Sequence, residues 1–178
     1  MVIAKGADGQ EFEPVPQGLH QAVCIDVIDK GIVQTQWGAK HRVQIRWALD
    51  ALNERGREHW VMASYNLTLG TPSKPSALRT ALESWRGKPF TAEEEAGFDL
   101  DKVIGANCQI QVIHKMGDGG KMWANVQAIV PLGKNAPLMR IPADYVRVSK
   151  RDAQQQPQRA AQGQSTLDPI VDADTVPF

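Results

Sequence analysis

The chain has 178 residues, with 20 Lys and Arg against 20 Asp and Glu, and a formal net charge of zero at pH 7. A zero charge argues against a strongly basic duplex-DNA binder, and no apolar stretch reaches the roughly 18 residues of a membrane span. Its two cysteines, Cys24 and Cys108, are too few for a disulfide framework and indicate a reducing compartment. We therefore expect a cytoplasmic protein.

Period-two alternation of apolar residues predicts the first three strands, over residues 19–29, 40–49 and 58–69. The polar segment 30–39, which contains Trp37, is predicted to be a loop. The next connection is a turn at 53–56. Because these connections are short, the three strands are expected to be consecutive and antiparallel.

The period then changes to that of a helix over residues 76–85, which has Pro75 near its start and Gly87 after its end. Thr91 and Glu94 form a capping-box pattern that predicts a second short helical piece. Alternation returns over 106–116 and 121–131, and a hairpin is predicted around the turn 117–120.

The predicted fold is all-β with one helix: an OB-fold, meaning a five-stranded Greek-key barrel with the helix between strands 3 and 4. An SH3-like barrel or a small sandwich would give a similar order of elements. The predicted domains are an N-terminal arm (1–16), the barrel (17–148), and a disordered linker with an acidic tip (149–178). Segment 149–166 has no Val, Ile, Leu or aromatic residue to offset the entropy of ordering.

Alternation also assigns side chains to the two faces of each strand. The strand side chains predicted to point inward are those of Cys24, Val43, Ile45, Trp47, Val61, Ala63, Leu67, Cys108, Met122, Ala124, Val126 and Ala128. Trp85 is assigned to the core from the apolar face of the predicted helix. Those predicted to point outward are Arg42, Gln44, Arg46, Trp60, Met62, Ser64, Trp123, Asn125 and Gln127.

An outward face with cations, amides and tryptophans suits single-stranded DNA, because unpaired bases stack on indole rings while Arg and Lys follow the phosphates. The predicted DNA-binding residues are Trp37, Lys40, His41, Arg42, Gln44, Arg46, Trp60, Lys115, Lys121, Trp123 and Asn125. The alternative for any outward Trp is that segment 132–147 or another subunit covers it.

No enzymatic pattern is expected, since the chain has no phosphate loop, nucleophile elbow or acid/base pair of the known kinds. His20, Cys24, Cys108 and His114 lack the spacing typical of a zinc site. We predict no catalytic residues, no metal and no cofactor.

Residues 168–178 read DPIVDADTVPF, and this acidic ending with Pro-Phe resembles the C-terminal tip of bacterial single-stranded DNA-binding proteins. The resemblance implies that Asp172, Asp174, Val176, Pro177 and Phe178 recruit partner proteins. Ala173 and Thr175 interrupt the acidic run.

The body resembles phage-encoded single-stranded DNA-binding proteins, through WGAKHRVQIRW (37–47), LESWRGKPFT (82–91), GFDLDKVIG (97–105) and WANVQAIVPL (123–132). That resemblance spans most of residues 14–132 and implies an OB-fold and a role in DNA replication, recombination or repair, in the host cytoplasm.

We therefore expect sequence-tolerant binding and protection of single-stranded DNA, with replication or recombination proteins as partners, a second copy of the chain as a further candidate and no membrane. One rival is a recombination mediator or strand-annealing protein. Another is a structural or adaptor barrel that uses the aromatic face as a protein interface.

Overall fold

The computed structural model describes residues 13–153 and divides the chain into two units, Met1–Tyr145 and Val146–Phe178. In the second unit the described residues are 146–153, of which 148–153 are helical. There the Nε of Arg151 donates a hydrogen bond to the backbone oxygen of Val146 at 2.7 Å. The strands found within residues 13–153 all belong to the first unit.

The first unit is mostly β, as predicted, and is built on a five-stranded antiparallel sheet. Its strands are β1 (Gly18–Thr35), β2 (Gly38–Leu52), β3 (Glu58–Asn66), β6 (Asn107–Met116) and β7 (Met122–Val130). The order in the sheet is β3-β2-β1-β6-β7, so β1 pairs with both β2 and β6. The two strands at the ends of this order, β3 and β7, also contact each other. A separate two-stranded ladder joins β4 (Gly70–Thr71) to β5 (Lys74–Pro75).

The loop predicted over residues 30–39 is wrong, because β1 and β2 continue through it to a tight turn at residues 36 and 37. A β-bulge between Asp29 and Gly31 takes up Lys30 as an extra residue, so that Ile32 and the residues after it still pair with β2. Gly31 has φ 66°, a conformation that glycine adopts without a steric cost. The result is a two-stranded arm, residues 30–41.

β3 and β7 also differ from the prediction. β3 ends at Asn66 and not at residue 69, and the Leu67 side chain, predicted to point inward, is 36% exposed. In β7 a bulge at Gln127 shifts the alternation, so Ile129 enters the core and the prediction for Ala128 is wrong. Met122 is also wrong, since it lies at the strand end and is 46% exposed.

The predicted helices are present. α1 (Ala77–Arg86) begins after Ser76, whose side chain accepts the N–H of Arg79, and ends at Gly87 in the left-handed conformation. α2 (Ala92–Ala96) has the predicted capping box between Thr91 and Glu94. Two short 3₁₀ segments cover Leu100–Val103 and Asp118–Gly120. Among residues 13–153, no helix is both long and apolar enough to cross a membrane.

The main core lies between α1 and one face of the sheet. Trp47 and Trp85 meet there with ring centroids 5.8 Å apart, and Val43, Ile45 and Leu82 surround them, as the alternation predicts for the strand residues. Both cysteines are buried and unbonded to each other, and burial raises the pKa of the Cys108 thiol. They are therefore small core residues, as expected.

Ion pairs fasten α1 to α2. The Arg79 side chain is 5% exposed and donates to Glu83 at 2.9 Å and to Glu95 at 2.5 Å. Arg86 donates to Glu94 at 2.7 Å and lies over the Phe90 ring, 4.9 Å from its centroid. Such charge-assisted pairs orient the short helix against the longer one.

Candidate nucleic-acid interface

The side of β1, β2 and β3 opposite the main core is called the outer face here. Direct cross-strand partners share a face of an antiparallel sheet, so the register gives its layout row by row. From the arm toward the other end of the sheet, the rows are Val33 with Lys40; Gly31, Arg42 and Asn66; Ile28, Gln44 and Ser64; Asp26, Arg46 and Met62; and Val23, Ala48 and Trp60.

The middle of the outer face is a polar and basic stripe along β2. Arg42, Gln44 and Arg46 are each partly exposed, and Arg46 Nε donates to the Gln44 side chain at 3.1 Å. Arg42 makes only long contacts with β3, of 3.4 Å to the backbone oxygen of Ser64 and 3.5 Å to the Asn66 side chain. Contacts of that length are weak, so the Arg42 guanidinium can exchange them for an anion.

One end of the outer face is covered by the chain itself. Val23, Ile25 and Ala48 are fully buried there and form a second cluster with Met139, Ile141 and Tyr145 of the segment 132–145. That segment is called the strap. Trp60 lies at its edge, 41% exposed, with its ring centroid 5.0 Å from that of Tyr145. The strap therefore covers part of Trp60, which is one of the alternatives given above for an outward Trp.

The strap is anchored by a buried carboxylate. Asp26 is 0% exposed and accepts a hydrogen bond from the Tyr145 hydroxyl at 2.7 Å. Burial, and then this hydrogen bond, raise the pKa of Tyr145. A buried carboxylate requires hydrogen-bond donors such as the Tyr145 hydroxyl. Neither Asp26 nor Tyr145 is among the site residues predicted from the sequence.

The opposite end of the outer face runs onto the arm. Trp37 sits at its turn, 79% exposed, and Lys40 shares the face of Arg42. His41 is on the other face, where its Nε2 lies 2.6 Å from Asp29 Oδ1. Asp29 also accepts the N–H of Gly31, and this hydrogen bond first, then the one with His41, lowers the pKa of the Asp29 carboxyl. The structure thus places Lys40 in line with the stripe and Trp37 at the turn of the arm, and it gives His41 a different partner.

The remaining predicted residues form a second group on the β6–β7 hairpin. Trp123 is 52% exposed and pairs across the ladder with Lys115, and Asn125 pairs with Ile113. Lys121 Nζ lies 4.7 Å above the Trp123 ring centroid, a cation–π contact. The ring also lies against Gly117, where a Cβ atom would be 2.5 Å from its Nε1.

Other predicted sites fall outside this surface. The partner-binding residues Asp172, Asp174, Val176, Pro177 and Phe178 lie outside the described residues. Within residues 13–153, no three His, Cys, Asp or Glu side chains are grouped so as to hold a metal ion. Among the four zinc candidates, His114 bonds to the backbone oxygen of Val15 and His20 to that of Pro16.

Comparison with known proteins adds nothing to this geometry: no protein-family model and no curated protein sequence matches the chain.

Proposed function

We propose that the chain is a binding protein for single-stranded DNA, and that the outer face and the β6–β7 hairpin hold the strand. The observation that carries the proposal is that Lys40, Arg42, Gln44 and Arg46 follow one another along one face of β2. Exposed tryptophans, Trp37 and Trp60, lie at the two ends of this line. Three of the four alternate β2 side chains are cations that can follow a phosphate backbone, and exposed indoles stack on bases without reading their sequence.

We propose further that the sheet is a closed barrel of the OB type. Three features support this: β1 pairs with both β2 and β6, α1 lies between β3 and β6 in the chain, and β3 contacts β7. In such a barrel the β2–β3 surface and the loops at the β1–β2 and β6–β7 turns bind oligonucleotides. Trp37 and Trp123 belong to those two hairpins.

The biological role is proposed from the resemblance in the sequence: DNA protection during phage replication, recombination or repair, in the host cytoplasm and without catalysis. Partner proteins would be recruited through residues 172–178. Residues 1–159 hold 20 Lys and Arg against 17 Asp and Glu, because three of the 20 acidic residues lie at 168, 172 and 174, so this part of the chain has a formal charge of +3. A mildly basic body with exposed aromatic side chains favours unpaired strands over duplex.

The experiment is a fluorescence anisotropy titration of labelled oligo(dT) with the full chain and with Arg42→Gln. If Arg42 contacts phosphate, the slope of log K against log salt should become shallower by about 0.7. The matched control is Arg55→Gln, an exposed arginine in the turn after β2, which should leave both affinity and slope unchanged. Equal effects of the two variants would refute the stripe, and no binding by the wild type would leave the adaptor barrel as the better proposal.

A further inference from the structure

Trp60 and Tyr145 meet at the edge of the strap, and both side chains remain partly exposed. Their ring centroids are 5.0 Å apart and their planes are inclined by 82°, an edge-to-face pair. In this geometry the edge of one ring meets the face of the other, and the two rings form the adjoining walls of a corner. Trp60 keeps 41% of its surface exposed, although its neighbour across the ladder, Ala48, is fully buried.

Hydrogen bonds to the Tyr145 side chain fix the position of its ring. Its hydroxyl donates to Asp26 Oδ2 at 2.7 Å, and Arg46 also hydrogen-bonds to its side chain. Asp26 is fully buried, so its carboxylate cannot turn to water as an alternative partner. The bond therefore holds the ring in one orientation before any ligand arrives, which lowers the entropy cost of binding.

The corner lies where the basic stripe ends. The row of Arg46 and Met62 is followed directly by the row of Val23, Ala48 and Trp60, and in that row the strap buries Val23 and Ala48 beside Trp60. A strand that follows Arg42 and Arg46 would reach Trp60 with its next base and could not continue along the sheet past the strap.

We propose that Trp60 and Tyr145 form a stacking site for a single unpaired nucleobase, that this site ends the DNA path on the outer face, and that Asp26 is a positioning residue for Tyr145. The proposal rests on the proposed function, since it names one base-binding site within it. It makes Tyr145 a DNA-contacting residue, whereas a purely structural Tyr145 would only hold the strap down.

The test compares Tyr145→Leu, which keeps an apolar cover over Val23 and Ile25, with Tyr145→Phe, which keeps the ring and loses only the hydroxyl. Affinity for oligo(dT) should fall at least about fivefold for Tyr145→Leu, as expected for the loss of one stacked base, and by less for Tyr145→Phe. Leu138→Ala, on the same strap at a side chain that is 75% exposed, is the control and should bind as the wild type does.

The role of Asp26 is tested by a double-mutant cycle. Asp26→Asn keeps an oxygen acceptor for the Tyr145 hydroxyl and should retain DNA affinity, whereas Asp26→Leu should lose about as much affinity as Tyr145→Phe, because each removes the same hydrogen bond. Asp26→Leu and Tyr145→Phe together should cost no more affinity than either alone. Additive losses would contradict the positioning role.

A wild-type measurement keeps the test decisive if a variant does not fold: oligo(dT) carrying one 5-iodouracil should photo-crosslink to Trp60 or Tyr145. Crosslinks elsewhere on the outer face but at neither ring, or wild-type affinity in a folded Tyr145→Leu, would overturn the corner and leave the proposed function standing. A wild-type protein that binds no oligo(dT) would overturn both.

Discussion

At the scale of single residues, the five tryptophans divide by what surrounds them. Trp47 and Trp85 pack against each other in the main core, whereas Trp37, Trp60 and Trp123 are between 41% and 79% exposed. The same side chain therefore contributes folding energy at two positions and is available for stacking at three.

This division predicts opposite phenotypes for two alanine substitutions. Trp47→Ala should lower the free energy of unfolding by about 3 to 5 kcal/mol, because it leaves a large cavity in the core. Trp123→Ala should leave that free energy nearly unchanged and weaken DNA binding by about 1 to 3 kcal/mol. Urea unfolding and anisotropy titrations on both variants check this. A destabilised Trp123→Ala would mean that this ring is a packing residue.

Gly117 is predicted to control the position of the Trp123 ring. Gly117→Ala places a methyl group where the ring edge now lies, so the indole must move away from the turn and from Lys121. DNA affinity should drop toward that of Trp123→Ala, with a changed indole N–H shift in the NMR spectrum. Gly133→Ala, where an added Cβ meets nothing within 4 Å, is the matched control. Identical spectra for Gly117→Ala and the wild type would contradict the contact.

At the scale of elements, two segments are held in place by different contacts. The strap is attached to the sheet through Tyr145 and Asp26, and α2 is attached to α1 through ion pairs. Their chemistry differs. The strap depends on a buried hydrogen bond and apolar contacts, whereas α2 is only five residues long, has no buried residue and depends on charge.

The α1–α2 attachment should therefore weaken in acid. The hydrogen bond from Arg86, followed by the N–H of Thr91, lowers the pKa of Glu94 from 4.5 to about 2. A lowered folded-state pKa gives stability that is complete above pH 4.5 and is lost as the pH falls toward 2. Glu94→Gln lacks this contribution, so the difference in unfolding free energy between wild type and variant should shrink from pH 6 to pH 3. A constant difference would show that the charge of Glu94 is irrelevant.

At the scale of the whole molecule, alternation predicted the faces of β2 because its pairing with β3 is regular from Arg42 to Ala48. It failed in β1 and β7, where bulges at Lys30 and Gln127 insert one residue without any change in local composition. The sequence offers segment 132–147 as a cover for an outward Trp but does not predict how it is attached, since the hydrogen bond between Tyr145 and Asp26 joins residues 119 positions apart. The helix caps at Gly87 and Thr91 and the turns at 53–56 and 117–120 are local in sequence, and these were predicted.

A competition titration is the most direct test that the outer face and the β6–β7 hairpin bind unpaired DNA. Labelled oligo(dT) bound to the full chain is challenged with an unlabelled single strand of mixed sequence and with a duplex of the same length and sequence. The single strand should displace the label and the duplex should compete far less, because stacking on Trp37, Trp60 and Trp123 requires exposed base faces. Equal competition by the duplex would contradict it.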